Sequence, residues 1–473
     1  MALFDAKALL PLPSHAALRE AFVGRNLKDV PAPAAILDTA VVHRNCLQMR
    51  KACEALQVGF RPHVKTHKTV EVAQLQVGDR TTDVKIIVST VAEAEHLSDF
   101  LSTCRENRRS VNILYGVPLP PSRIGRLAHL GKKLGNESIS VLVDNECQLQ
   151  AARVFKDMAG FQLKVFVKVD TGYHRAGVVV GTEKFNRLVT DILDEESRGT
   201  MEFLGFYSHA GHSYGGDSAL GAMELLIVEL EGLEKAAAHA LTARGHAPTR
   251  QKYLLSVGAT PTATSIENML ERSAQAESPM GGEIAKLKTV IDRINATHAI
   301  EIHAGVYPFL DMQQLATQAS PSALPANPKH DASGLSTADI ALTIMAEVAS
   351  MYESRDSPEA LIAAGSLALG RDPCKSYDGW GIVSDWGMLT DNAEGRSGWQ
   401  VGRISQEHGI LTTDSQHRRH ELAELKIGQR VRVWPNHACV AGAGFGWYLV
   451  VDSSLAEERR DEIVDVWVRC RGW

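Results

Sequence analysis

Eight short, β-rich apolar runs recur through the first 305 residues, at 59–65, 84–90, 111–116, 139–144, 163–169, 202–208, 252–258 and 299–305. Between them lie amphipathic stretches such as VAEAEHLSDFLSTC and GAMELLIVELEGLEKAAAHAL, whose apolar residues return at three- and four-residue steps, the helical period. Strand and helix alternating eight times predicts an α/β fold, a TIM-like (β/α)8 barrel. A doubly wound open sheet is the other topology this alternation permits. The charged stretch at about 264–296 is longer than a connection needs and reads as a solvated helical insertion.

A barrel of about 250 residues does not use up a chain of 473, so a second domain is expected. After about residue 325 the texture changes. SALPANPKHDASG reads as a linker, and short alternating runs such as QRVRVWP and WYLVVDS follow. The expected division is a barrel over 31–325, a smaller β domain over 326–473, and an N-terminal segment, 1–30, packing on the β domain.

A net charge of −6 with no basic block gives no electrostatic case for nucleic acid. No apolar stretch reaches the ~18 residues of a membrane span, and Asp5 and Lys7 interrupt any secretory core at the N-terminus. Seven cysteines, an odd number without a CxxC, read as reduced thiols of a cytoplasmic protein. The expected partner is a small molecule.

The first apolar run ends in RPHVKTHKT (61–69). On an extended strand Arg61, His63, Lys65 and His67 share one face, which is wrong for a core but suits a barrel mouth, where strand C-terminal ends carry active sites. Read structurally, the same residues are a solvated basic edge. Read chemically, a lysine buried among other cations is driven toward its nucleophilic form, which makes Lys65 a candidate for bonding a carbonyl or pyridoxal phosphate.

That cofactor also needs a phosphate cradle and a partner for its ring nitrogen. LLSVGATPTATS (254–265) offers Ser256, Gly258, Thr260 and Thr262 at one strand end, and EIHAGVYPF (301–309) offers Gly305 at the next. Each alone is an ordinary turn, but adjacent ends of the last two strands are the usual phosphate position of a barrel. VKVDTGYHRAG (167–177) supplies Asp170, Tyr173, His174 and Arg175, and GFYSHAGHSYG (205–215) supplies Tyr207 and His209 on one face. In VRVWPNHACVAG (431–442), His437 and Cys439 stand two apart, so an extended chain points both the same way. Imidazole and thiolate suit zinc.

Together, RPHVKTHKT, VDTGYHRAG, SVGATPT, EIHAGVYPF and PNHAC resemble, in order from about residue 30 to 450, the eukaryotic-type zinc-dependent D-serine dehydratases. These are fold-type III pyridoxal phosphate enzymes, grouped with alanine racemase and D-threonine aldolase. The resemblance implies a homodimer in which a barrel binds the cofactor through Lys65. It implies Arg175 near the cofactor's ring oxygen, Tyr207 near its nitrogen, Ser256, Gly258, Ala259, Thr260 and Gly305 around the phosphate, and zinc on His437 and Cys439. It further implies D-serine breakdown to pyruvate and ammonia, with Lys65 taking the Cα proton and zinc assisting loss of the β-hydroxyl. The chain departs from alanine racemases, which resemble VKANAYGHG where VKTHKTVEV stands here. It departs from D-threonine aldolases at the metal, where His-x-Asp is typical and this chain has His437-x-Cys439. D-Threonine aldolase, D-threo-3-hydroxyaspartate dehydratase and a non-catalytic cofactor carrier are the alternatives. His63 and His67 receive no assigned role.

Overall fold

The strand that follows the N-terminal segment, β1 (Ala34–Asp38), does not join the barrel. The barrel takes the next eight: β2 (Gly59–Pro62), β3 (Asp83–Val88), β4 (Ser110–Pro118), β5 (Ile139–Val143), β6 (Leu163–Lys168), β7 (Met201–Tyr207), β8 (Leu254–Val257) and β9 (Ala299–Ala304). All eight expected runs are therefore strands. They pair in parallel in the order β2-β9-β8-β7-β6-β5-β4-β3, and a bridge from His63 to Ile87 brings the end of β2 against β3, so the ring nearly closes. The open sheet is excluded. The computed structural model describes residues 11–79, 83–244, 252–270, 279–324, 334–388, 395–413 and 422–473.

These strands read as continuous apolar runs because a parallel sheet is covered on both faces; every residue of ISVLV in β5 is buried. Gly205 in β7 marks a register shift against β6. Its φ is +145°, and a Cβ there would stand 2.2 Å from the Leu254 carbonyl oxygen of β8, so only glycine fits. The stretch at 264–296, expected as an insertion, contains the 19-residue helix Pro279–Thr297, with Leu287, Val290, Ile291 and Ile294 buried. It leads into β9 and so stands where the last crossover helix of a barrel must stand. Residues 271–278 of that stretch lie outside the described residues.

Ile87, Leu114, Leu142, Phe166 and Tyr207 form one cluster of the barrel core. Against it lies a buried ion pair. Arg61 donates to both carboxylate oxygens of Glu301, at 2.6 and 3.2 Å, and to Asn112 Oδ1 at 2.7 Å, with its guanidinium 5.8 Å from the Phe166 ring centroid. Removing one partner of such a pair strands the other charge away from water. Arg61→Ala is expected to destabilise the protein by about 3–5 kcal/mol. A urea midpoint within the error of wild type would refute this.

The chain divides into two units, the barrel built on Met49–Gly305 and a second built on Leu12–Gln48 with Val306–Cys470. The second unit contains β1, β10 (Leu342–Tyr352), β11 (Glu359–Ile362), β12 (Gly381–Ser384), β13 (Arg396–Ile404), β14 (Gly409–Thr413), β15 (Arg430–Pro435), β16 (Trp447–Val451) and β17 (Asp465–Val468). Their order is β11-β14-β13-β12-β15-β10-β1-β16-β17, and β10 also pairs with β11, so six antiparallel strands close a smaller barrel that β1, β16 and β17 extend. Leu27 and Val30 of the N-terminal segment are buried with Ile36, Leu449, Ile463 and Val466, and Leu18 and Phe22 pack on them. The division falls after Gly305 rather than near 325, because Leu310 and Met312 enter a core with Ile340, Ile382 and Trp434. Of the expected linker, residues 325–333 lie outside the described residues.

Candidate active site

β2 ends at Pro62 and the chain turns over residues 64–67, so the strand-face argument holds only for Arg61 and His63. His67 leaves that face. It is buried against the helix Val70–Val77, with Nε2 3.0 Å from Gln76 Oε1 and Nδ1 3.2 Å from Thr69 Oγ1. Lys65 stays by His63: its backbone N–H donates to His63 Nδ1 at 3.3 Å, and a Cβ on Gly305 would lie 3.4 Å from Lys65 Cε. Lys65 is half-buried and, among the described residues, has no carboxylate within ion-pair distance. The next lysine, Lys68, is instead bound by the buried Glu93 at 3.1 Å.

The other expected residues come from neighbouring strand ends of the same barrel. Tyr207, the last residue of β7, is buried and stacks on His303 of β9 with centroids 4.2 Å apart and rings 7° from parallel. His209 Nδ1 lies 2.8 Å from the Gly258 carbonyl oxygen. Ser256 faces inward, donating to Glu301 Oε1 at 3.1 Å and meeting His303 Nδ1 at 3.1 Å. Gly258, at φ +137°, could carry no side chain: a Cβ would stand 2.3 Å from the His303 carbonyl oxygen. The Ala259 N–H donates to Thr262 Oγ1 at 2.8 Å, and the Gly305 N–H donates to Thr260 Oγ1 at 3.3 Å. Arg175 is exposed in the loop after β6, 5.3 Å from the Tyr173 ring.

Burial, then the positive charge of Lys65 and its neighbours, holds His63, His209 and His303 well below the usual histidine range, so all three are neutral near pH 7. Burial pushes the Tyr207 phenol up, against the pull of Arg175. The site thus confines its positive charge to lysine and arginine and offers neutral imidazoles and a neutral phenol as hydrogen-bonding groups. The sequence motifs EIHAGVYPF and VKVDTGYHRAG contain His303 and Lys168 without marking a role for either, although alternation from the interior Phe166 puts Lys168 on the inner face of β6. Burial lowers its ammonium to about 8, with Glu229 opposing.

In the second unit β15 runs into Asn436 and His437, and Ala438–Ala441 is a short helix. His437 precedes that helix and Cys439 lies within it, so alternation is not what pairs them, yet the ring and the sulfur are hydrogen-bonded. The Asp372 carboxylate meets His437 Nδ1. Burial works against the imidazolium, but the Cys439 sulfur, with Asp311 and Asp372, pushes His437 up to about 10. Asp311, raised to about 6 by burial, accepts from the Ala438 N–H at 2.8 Å and the Gln314 N–H at 2.9 Å. Asp372 and Asp311 had no signal in the sequence, being 65 and 126 residues from the histidine by their numbering. Among the described residues no group of three or more His, Cys, Asp or Glu is set to hold a metal ion. His437 and Cys439 bring together an imidazole nitrogen and a sulfur, donor types that zinc prefers.

Residues 37–276 match the family model "Alanine racemase, N-terminal domain", and residues 341–451 match "Putative serine dehydratase domain". D-Serine dehydratase of Schizosaccharomyces pombe is 33% identical over 96% of this chain and 95% of its own. The structure of D-threo-3-hydroxyaspartate dehydratase from Delftia sp., solved also as a mutant in a metal-free form, superposes with a TM-score of 0.69 at 28% identity, covering 95% of this chain and all of the other. A D-threonine aldolase from Arthrobacter sp. is 33% identical, but over 33% of this chain and 38% of its own.

Proposed function

The chain belongs to the D-serine dehydratase family of fold-type III pyridoxal phosphate enzymes and is a lyase; from that premise we propose that it converts D-serine to pyruvate and ammonia, with Lys65 Nζ taking the Cα proton. One observation carries the reading. Lys65 lies at a barrel strand end without a carboxylate partner among the described residues, beside Gly305 and within the electrostatic reach of three neutral histidines. The residues fit the cofactor in a second respect, since His303 Nε2 is buried with no hydrogen-bond partner among the described residues.

When bound, pyridoxal phosphate supplies an electron sink for the Cα carbanion, and zinc supplies a Lewis acid that makes hydroxide a better leaving group. The protein's residues do the rest. Lys65 would anchor the cofactor, and its amine would be the base on one face of Cα, which would select the D-enantiomer. Tyr207 presents a neutral phenol to the ring nitrogen, and Arg175 presents a guanidinium to the ring oxygen. Ser256, Gly258, Ala259, Thr260 and Gly305 would form the phosphate side, with Ser256 also meeting His303 Nδ1. His437 and Cys439 hold the zinc, with Asp372 fixing the tautomer of the histidine. In this reading the barrel unit is the cofactor-binding domain and the β unit the metal-carrying one, in a cytoplasmic homodimer.

The near-full-length similarity to both a D-serine dehydratase and a D-threo-3-hydroxyaspartate dehydratase favours elimination over aldol cleavage, and leaves the second substrate as the competing reading. A panel of D- and L-3-hydroxy amino acids tests it. D-Serine should give pyruvate and ammonia in equal amounts, D-threonine should give 2-oxobutanoate in excess over glycine, and L-serine should not react. Glycine and acetaldehyde as the main products from D-threonine would make the chain an aldolase. Turnover of D-threo-3-hydroxyaspartate alone would keep the chemistry and change the substrate.

A further inference from the structure

The helix Ala219–Arg244 covers β7 and β8 with Met223, Leu226, Ile227, Leu230 and Leu233, and among these apolar residues it buries one carboxylate, Glu229, to 1% exposure. Leucine or methionine at that position would pack without the cost of desolvating a charge, which for an ion in a protein interior is several kcal/mol. That cost is visible in burial raising Glu229 to about 7. The carboxylate needs a reason to be there.

Its contacts supply one. Glu229 Oε1 accepts from Ser208 Oγ at 3.0 Å, Oε2 accepts from Thr262 Oγ1 at 3.2 Å, and the Gly258 backbone is hydrogen-bonded to the same carboxylate. Thr262 Oγ1 in turn accepts the Ala259 N–H, and Ser208 Oγ lies 2.6 Å from Thr171 Oγ1. One side chain therefore ties together the segment after β6 that carries Arg175, Ser208 next to Tyr207 at the end of β7, and the turn at 258–262 after β8. Glu229 does not belong to the anion-binding surface, where a second negative charge would repel phosphate; it reaches the turn through Thr262 and Gly258, and Lys168 is the cation whose field offsets it.

We infer that Glu229 is a positioning residue that presets the 258–262 turn for the cofactor's phosphate. The inference rests on the reading of that turn as the phosphate side of the site. In Glu229→Gln the acceptor loses its charge and one of its oxygens becomes a donor, so the bonds from Ser208, Thr262 and Gly258 lose their charge assistance, one hydroxyl must reverse its hydrogen bond, and the turn is held less firmly. Hydrogen bonds to a charged group contribute about 1.5–3 kcal/mol, so at least about a tenfold loss of affinity is expected.

The experiment titrates cofactor-free full-length protein with pyridoxal phosphate and, separately, with pyridoxal, which lacks the phosphate. It is done for wild type, Glu229→Gln and Thr262→Val, with thermal midpoints measured alongside. Thr262→Val removes the hydroxyl that joins Glu229 Oε2 to the Ala259 N–H while leaving the acid and its bond to Gly258 in place, and it serves as the test if the glutamine variant does not fold. The expected result is a loss of about tenfold or more for pyridoxal phosphate in both variants, with pyridoxal affinity within about twofold of wild type. Equal weakening for the two ligands, or no weakening in either variant, would overturn the positioning role while leaving the phosphate reading intact. Failure of the wild-type protein to prefer pyridoxal phosphate over pyridoxal would overturn the phosphate reading, and the inference with it.

Discussion

Borohydride reduction of the yellow holoenzyme is expected to fix the cofactor on Lys65 and on no other lysine, and Lys65→Ala is expected to lower turnover by ~10³-fold or more, since anchoring and proton abstraction are lost together. The two other lysines near this end of the barrel are held by contacts that Lys65 does not make. Lys68, three residues on, is at φ +55° with its amine on Glu93 at 3.1 Å, and leaving would strand a buried carboxylate. Lys168 lies inside the barrel with Nζ donating to the Val169 carbonyl oxygen at 2.9 Å, and its buried amine faces the Tyr207 ring at 5.7 Å. Peptide mapping that found the reduced adduct on Lys68 or Lys168, or no adduct at all, would remove Lys65 from its role. The same variant should leave the thermal midpoint nearly unchanged, because Lys65 makes no ion pair among the described residues, in contrast to the loss expected for Arg61→Ala.

Period carried the barrel. Strands covered on both faces are written as apolar runs, and the helices between them repeat at their own spacing, so eight β/α units were legible residue by residue. Local geometry at the strand ends was less so. Alternation continues only while the backbone is extended, and at Pro62 it is not, which is why His67 faces the helix Val70–Val77 and not the barrel mouth. The insertion reading of 264–296 has the same origin: a charged outer face marks a solvated helix, and whether that helix is extra or the eighth of the barrel depends on what Leu287, Val290 and Ile294 pack against. Glu229 and Asp372 were illegible for another reason. A carboxylate on a helix or in a loop has no pattern of its own, and its meaning arises only when folding brings Thr262 or His437 to it across 33 or 65 residues. The sequence motifs did carry His303 and Lys168, because alternation from Ile302 and Phe166 distinguishes the inner face, but they stood among residues already given roles.

Removing the metal should separate chemistry from structure. His437→Ala, or exhaustive chelation of the wild-type protein, is expected to abolish D-serine turnover, by ~10³-fold if Lewis-acid assistance contributes several kcal/mol to the barrier for losing hydroxide. The cofactor's visible absorbance and the thermal midpoint should change little. The second half of this expectation follows from how the turn is held. Asp311 binds the Ala438 and Gln314 N–H groups, Asn436 donates to the Asp372 and Gly379 carbonyl oxygens at 3.0 and 2.7 Å, and Ile340, Ile382 and Trp434 pack beneath, so protein groups fix the backbone that carries both ligands. A structural zinc site closes four protein donors around the ion, and two donors on one turn do not make that cage. Cys439→Ser should be milder than His437→Ala, since the imidazole stays anchored on Asp372 and a hydroxyl is a poorer but still available donor. Loss of the cofactor or of the fold along with the metal would make the ion structural; full turnover in metal-free protein would leave hydroxide departure to an acid of the protein.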